Sequence, residues 1–492
     1  MLITHDVSPD TPGSSANTSN ITSLSISEQY KQVHALRSEL VARYRPIILH
    51  GSGPTRVMAR LVAELQQVCR EHAIDEEVIQ ASVVNRTIGD VDLRGVIECE
   101  GQAGGRGDYR MLAEELGIAL PGEKLHGYTA SGETYLWLRE QMLENEKLLL
   151  GQRIDVRMYD IFAVGNPLLR NWLAGTMQQQ WGLPATREQV YLGLGAMDCV
   201  DKSLRSLRLV LLERTGTNPA ILFPEPGFTV PEWQARSYGY RMLHFQTEAA
   251  HSFKLRASQL EEILQNAPDI GVIYLTVTNN PTTFAYRPEE LNELFAVLRP
   301  YWEQGRNIYI LADLAYIGTA DPADDSARMA TFTAPDVFQH TIFISSFSKI
   351  FSLTGDRFGY VTIGDAQLAP SLGPGWTNSM AGVPAEWQLR YMAVFQLIQQ
   401  RPWLSEKLRS LYRLRRRRFE AQLRRINEEQ RLFQRIYEGD NATVYTWCEL
   451  AAGEDAFSLF EKTGIAGVPG SGFGYSDDYI RFSIGVIPVP EA

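Results

Sequence analysis

Between residues 190 and 363 the chain alternates short apolar runs with stretches of helical periodicity, and this alternation leaves few folds open to it. The runs are 190–194, 220–223, 240–245, 271–277, 307–312, 341–345 and 359–363. Several are apolar at nearly every position, as strands covered on both faces must be. Helices between such strands act as right-handed crossovers and make the sheet mainly parallel. The expected class is α/β: a mainly parallel seven-stranded sheet flanked by helices, with a smaller α+β domain. Such sheets bind ligands beyond the carboxyl ends of their strands, so chemistry is expected just after each run.

The rest of the chain divides around this core. Residues 1–25, dense in Ser, Thr, Asn and Pro, read as a disordered tail. Residues 26–164 read as an N-terminal extension plus the first part of the small domain. Within them, Tyr30, Val33, Leu36, Leu40 and Val41 fit one amphipathic helix; Val57, Leu61, Leu65 and Val68 fit a second. Gly51-Ser52-Gly53-Pro54 reads as a turn between them and not as a phosphate loop, because no Gly-Lys-Ser/Thr follows. The glycine-dense residues 101–107 read either as a substrate-contacting loop or as a surface turn. Two similar segments, around Gly132 and Gly165, lead into helical runs, the first ending at Leu138-Arg139 and the second near Trp181. The large domain is expected over 165–390 and the small C-terminal domain over 391–492, with strand-like runs at 443–450 and 479–484. A helical stretch over 384–430 carries Arg413, Arg415, Arg416, Arg417 and Arg418, read as a solvated basic face.

Composition closes several function classes. A net charge of −11 argues against a nucleic-acid partner held by bulk charge. Cys69, Cys99, Cys199 and Cys448 form no CxxC pair and the histidines no HExxH, so no metal is expected. No apolar run approaches the roughly 20 residues that span a bilayer. The N-terminus lacks a basic stretch followed by an apolar core, so the default location is the cytoplasm.

The unusual residues cluster past the runs. Gly195-Ala196-Met197 opens a helix, and small residues at a helix N-terminus let backbone N–H groups approach a phosphate, although many strand-to-helix turns look alike. Pro224-Glu225-Pro226-Gly227-Phe228 offers a ring on a rigid turn, suited to stack on a flat heterocycle or to pack in the core. Asp313 ends the fifth run, where a carboxylate is costly unless paired; a protonated pyridine nitrogen is a suitable partner. Tyr316 and Asn280 could reach a phenolate oxygen on the same ring. The sixth run leads into Ser345-Ser346-Phe347-Ser348-Lys349, with Arg357 eight residues on. A lysine there could form a Schiff base with an aldehyde cofactor whose phosphate the hydroxyls and arginine hold; the bland reading is a strand-to-loop junction. Arg481 lies in an otherwise apolar strand, its fork suited to a carboxylate.

In this order, from Gly165 to Arg481, these residues resemble the fold-type-I pyridoxal-phosphate enzymes, specifically the class I/II aminotransferases. The most specific signals are Ser-Phe-Ser-Lys with Arg357, Asp313 with Tyr316, and Asn280-Pro281-Thr282. The resemblance implies pyridoxal 5'-phosphate as cofactor and Lys349 as the Schiff-base lysine and proton shuttle. It implies that Asp313 keeps the pyridine nitrogen protonated and that Tyr316 and Asn280 bind the ring oxygen. Phe228 would stack on the ring. Gly195, Ala196, Met197, Ser346, Ser348 and Arg357 would surround the phosphate, and Arg481 would take the substrate carboxylate, with Asn280 beside it. Val468-Pro469-Gly470 and Gly472-Phe473-Gly474 look like the family's loop before that strand. The implied activity is transfer of an α-amino group between an amino acid and a 2-keto acid, by a homodimer. Its alternative is a pyridoxal-phosphate lyase, cyclase, decarboxylase or oxidase; a cofactor-binding regulator is a more distant one. Tyr128 and Tyr159 both stand as the tyrosine that crosses to the partner's phosphate. Thr283 departs from the glycine the family commonly has after Asn-Pro-Thr.

Overall fold

The computed structural model describes residues 24–49, 53–89, 133–160, 162–439, 444–485 and 489. All seven expected strands lie in one sheet. With β1 at Val84–Asn85, they are β2 (Val190–Leu194), β3 (Ala220–Glu225), β4 (Arg241–Gln246), β5 (Ile270–Thr276), β6 (Tyr309–Asp313), β7 (Thr341–Ser346) and β8 (Phe358–Ile363). Their order is β2-β8-β7-β6-β5-β3-β4. Only β8 runs against its neighbours, pairing antiparallel with β2 and β7. Residues 347–357, which join β7 to β8, are too few for the crossover that a parallel return requires.

The continuous apolar runs fill two cores, one on each face. Leu222, Ile310 and Ala312 face the helices Pro167–Trp181, Pro288–Glu303 and Ala385–Gln400. The alternate residues Ile221, Phe223, Tyr309 and Leu311 face the helix Ala196–Thr215. Side chains buried this fully contribute about 1.5–3 kcal/mol each when leucine- or phenylalanine-sized.

The smaller unit draws on both ends of the chain. Strands β9 (Phe433–Tyr437), β10 (Tyr445–Leu450), β12 (Val468–Pro469) and β13 (Tyr479–Ser483) form an antiparallel sheet ordered β12-β13-β10-β9. The helices Ile26–Leu49 and Pro54–Glu71 bury Val33, Met58, Leu61 and Leu65 in one core with Phe419, Cys448, Ile480 and Phe482. β1 pairs in parallel with β11 (Ile465–Ala466), which fixes residues 84–89 beside this sheet. An aromatic cluster joins the two units: Phe253 meets Tyr437, Trp447, Tyr475 and Tyr479 at 5.2–6.3 Å between ring centroids.

Three expectations need correction. The helical run expected to end at Leu138-Arg139 continues over Glu133–Gly151. The stretch over 384–430 is two helices, Ala385–Gln400 and Trp403–Gln430, divided at Pro402, which can supply no amide hydrogen to a continuing helix. The arginine run is not a solvated face throughout. Arg415 and Arg416 are buried, Arg415 donating to the Gly485 carbonyl at 2.8 Å and Arg416 to Glu420 at 2.8 Å. The tail over 1–23, residues 101–107 and Tyr128 lie outside the described residues.

One edge of the large sheet holds an unusual pair of acids. Glu225 at the end of β3 accepts from His244 of β4 at 2.8 Å and from Gln246, and Gln246 also donates to the Gly474 carbonyl at 2.9 Å. Glu232, on the helix Val230–Ser237, is pushed up to about 8 by burial and by Glu225. A carboxyl whose folded pKa is raised stabilises the fold fully below the unfolded value near 4.5, and that contribution drains away as pH rises towards 8. Glu232→Gln is therefore expected to leave stability unchanged at pH 4.5 and to raise it at pH 8.5 by on the order of 1 kcal/mol or more, seen as a higher melting temperature. Equal pH slopes for the two proteins in thermal denaturation would contradict this.

Candidate active site

At the carboxyl ends of β2, β6 and β7, and against β10 and β13, lies a cavity of about 880 Å³. Ala196, Met197, Phe228, Asn280, Asp313, Tyr316, Ser346, Ser348, Lys349, Arg357 and Arg481 all line it. The sequence separates these residues by as much as 285 positions; parallel topology gathers them because every strand of one direction delivers its end to one edge.

Asp313, the last residue of β6, lines the cavity and is buried. Its carboxylate accepts from the Tyr274 hydroxyl and from the Ala315 N–H at 2.9 Å. Burial pushes its proton affinity up, although both hydrogen bonds pull it down. A buried carboxylate with two neutral donors is incompletely compensated, and a cationic N–H in the cavity would complete it.

Directly after β2, Gly195 caps the helix Ala196–Thr215 with φ near 80° and no side-chain cap. A Cβ there would lie 2.4 Å from an Arg357 nitrogen, so only glycine permits the guanidinium to lie against this helix start. Gly359 permits the matching approach on β8, where a Cβ would lie 2.7 Å from the Gly195 backbone. Arg357 donates to the Thr354 carbonyl at 3.0 Å. The Ser346 hydroxyl donates to Ser348 at 2.9 Å and accepts from the Ser348 N–H at 3.1 Å. A helix N-terminus, two hydroxyls and a guanidinium form an anion cradle.

The third charged wall belongs to β13. Arg481 is buried, donating to Asn280 Oδ1 at 2.9 Å and to the Thr87 carbonyl at 2.9 Å, while its Nε has no partner among the described residues. Its guanidinium lies 4.2 Å from the Tyr445 ring centroid and 4.8 Å from that of Phe473. Among the described residues no carboxylate pairs with it, so a carboxylate ligand would offset its burial. Between these walls Lys349 donates to the Gly89 carbonyl. Phe228 stands on a turn pinned by Gly227 N–H to the Phe473 carbonyl at 3.0 Å and by Asn279 to the Pro226 carbonyl at 2.9 Å.

Residues from 53–56 and 88–89 also line the cavity, as do Trp233 and Tyr445, and sequence reasoning missed their part in it. The Gly53-Pro54 turn carried no signal beyond turn chemistry. β1 is two residues long, too short to register as an apolar run, and its placement depends on pairing with β11. Tyr159 is not in the cavity; it is exposed beside another depression with Met158, Phe162 and Met380. Thr283 occupies the left-handed region at φ 67°, fully buried against Gly439, which explains why glycine suits that position.

A profile described as "Aminotransferase class I and II" matches residues 163–488, more than half of the chain. An LL-diaminopimelate aminotransferase of Maridesulfovibrio salexigens is 27% identical over 220 residues, 44% of this chain and 52% of that protein. An asparagine–oxo-acid transaminase of Streptococcus mutans is 24% identical over 340 residues, 67% of this chain and 80% of that protein. For the first of these, as for several other curated relatives, the match spans about half of the relative's length. In fold, the chain is similar to an aspartate aminotransferase from Thermus thermophilus with maleate (TM-score 0.61, 17% identity, 90% of this chain and 95% of that one). It is likewise similar to an aminotransferase from Mycobacterium tuberculosis (TM-score 0.63, 18% identity, 89% and 93%).

The cradle gives a direct expectation. Gly195→Ala should weaken binding of pyridoxal 5'-phosphate about tenfold, because the added methyl would push the Arg357 guanidinium out of the cradle and cost one charge-assisted hydrogen bond of roughly 1.5 kcal/mol. Absorbance titration of the cofactor onto both proteins checks this; equal affinities would contradict it.

Proposed function

Because the chain belongs to the class I and II aminotransferases, we propose that it is a pyridoxal-phosphate-dependent enzyme that moves an α-amino group from an amino acid to a 2-keto acid. The carrying observation is that Asp313 at the end of β6, Lys349 and Arg357 on the loop from β7 to β8, and Arg481 within β13 meet on one cavity. The donor set fits the cofactor: a buried acid for a ring N–H, an anion cradle for a phosphate, and an amine between them. When bound, pyridoxal phosphate supplies an aldehyde that condenses with amines and a ring that withdraws electrons from the substrate's α-carbon.

The chain's own residues divide the remaining work. Arg357, Ser346, Ser348 and the first N–H groups after Gly195 bind the phosphate and fix the ring's position. Asp313 holds a proton on the ring nitrogen, which its own burial favours by making an uncompensated carboxylate costly. Tyr316 and Asn280 orient the ring's phenolic oxygen, and Phe228 covers one face and excludes water. Arg481 binds the substrate carboxylate and so aims the α-hydrogen at Lys349. Lys349 would hold the cofactor's aldehyde through its amine, and its Nζ, lying beside the substrate's α-carbon, would take up and return the α-proton. A keto acid entering by the same contacts reverses the sequence, so two substrates share one site in turn.

We further infer a dimer. Met158, Tyr159 and Phe162 are 70%, 87% and 72% exposed, an apolar group too large to leave in water without cause, and Met380 adjoins them. A second copy of the chain is the occupant that the family membership supports.

Given an amino-acid substrate alone, the loaded protein should release about one equivalent of keto acid per site and stop, resuming when a keto acid is added. Sustained turnover without an acceptor would replace amino transfer with another reaction of the same cofactor. For the dimer, Phe162→Asp should shift the sedimentation coefficient from that of two chains to that of one; an unchanged coefficient would remove this face from the interface.

A further inference from the structure

Arg357, which gives the anion cradle its guanidinium, has a backbone that an L residue seldom adopts: its φ is 58°, in the left-handed region. Such a conformation persists only where the surroundings impose it. From this backbone the side chain donates to the Thr354 carbonyl at 3.0 Å and to the Leu194 carbonyl at 3.5 Å, and lies against Gly195. Both sequence neighbours of Arg357 are held from outside the cavity, by the helix Ala385–Gln400. Trp387 donates its indole N–H to the Asp356 carbonyl at 2.9 Å, and Arg390 Nε donates to the Asp356 carboxylate at 2.8 Å. On the other side of Arg357, the Phe358 ring lies flat on that of Tyr391, 4.4 Å between centroids, and 5.6 Å from that of Trp387. The same helix reaches the start of the loop. Phe347 meets Tyr391 at 5.2 Å, and its N–H donates to the Phe358 carbonyl at 3.0 Å.

We propose that Trp387 and Arg390 are positioning residues of the phosphate site, which keep Arg357 in its left-handed conformation by holding Asp356. This rests on the cofactor reading of the cavity. Neither residue lines the cavity, so both act through Arg357. The Asp356 carbonyl belongs to the peptide plane that carries the Arg357 N–H. The indole fixes that plane, and β8 fixes the chain from Phe358 onwards, so Arg357 keeps little freedom in φ and ψ. Arg390 adds charge to the same restraint. The Asp356 side chain is only 6% exposed, and a carboxylate so buried is stable there while a cation compensates it. With Arg390 removed, burial of Asp356 becomes costly, and the carboxylate turns towards water and rotates the peptide. Arg357 then relaxes to negative φ, its Cα–Cβ bond swings round, and the guanidinium leaves the helix start at Gly195.

The clamp is specific to one part of the cofactor. Asp313 and Phe228 stand on other segments of the chain, and Lys349 lies at the opposite end of the loop, next to the Phe347 anchor. Loss of the clamp therefore leaves the contacts to a pyridine ring and an aldehyde in place and removes a contact to the phosphate. A residue that merely stabilised the fold would weaken all of them together.

The test is absorbance titration of the cofactor-free protein with pyridoxal 5'-phosphate and, separately, with pyridoxal, which has the same ring and aldehyde but no phosphate. The wild type should bind the phosphorylated ligand much more tightly. Arg390→Ala should weaken binding of pyridoxal 5'-phosphate about tenfold, the loss of one charge-assisted hydrogen bond, and change that of pyridoxal by no more than about twofold. Arg390→Lys, which keeps the charge, should recover part of the loss. Trp387→Phe keeps a ring beside Phe358 and removes the indole donor; a smaller loss in the same direction is expected, and it keeps the proposal testable should Arg390→Ala not fold. Equal weakening of both ligands, or unchanged affinity for the phosphorylated one, would overturn the proposal. A wild type that does not distinguish the two ligands would instead overturn the phosphate reading of the cavity, and the proposal with it.

Discussion

A guanidinium with no counter-charge among the described residues, that of Arg481, is the interaction on which the site's architecture turns. It is buried at the meeting point of three parts of the chain: Asn280 from the large unit, the Thr87 carbonyl from the N-terminal segment, and the rings of Tyr445 and Phe473 from the small unit. Removing an arginine from water costs several kcal/mol, and two neutral acceptors with two aromatic faces return only part of it. The remainder is the affinity the site offers a carboxylate. Asp313, lining the same cavity, presents the same condition with opposite sign. The protein thus maintains two separated, under-compensated charges whose natural complement is a zwitterion-like ligand pair, a protonated ring and a carboxylate.

The large sheet makes this separation possible. Strands of one direction deliver Asp313, Ser346 and the Gly195 helix start to a single edge, and the reversed strand β8 begins directly after Arg357. The short return from β7 to β8 therefore forms the phosphate cradle as well as the topological exception. The small unit supplies the opposite wall, and the Phe253 aromatic cluster fixes the two units against each other.

Sequence periodicity was sufficient for the sheet because its strands are covered on both faces and read as unbroken apolar runs. Asp313, Lys349, Arg357 and Arg481 were legible for a related reason: charged groups at the end of, just past or inside apolar strands are costly and so stand out. The N-terminal contribution was not legible. β1 depends on a parallel partner some 380 residues away, and no local pattern announces a two-residue strand. Tyr445 was hidden because a tyrosine in an apolar strand looks like core; its meaning comes from Arg481, which β13 sets beside it. The basic run at 413–418 misled for the opposite reason, since pairing with Glu420 and a backbone carbonyl let two of its arginines turn inward.

The central claim is that Lys349 is the amine that holds the cofactor. Borohydride reduction of the protein loaded with pyridoxal phosphate, followed by peptide mapping, tests it most directly. A pyridoxyl group on Lys349 and on no other lysine is the result this account predicts. Modification at a different lysine, or none at Lys349 when the cofactor's absorbance shows it bound, would contradict it.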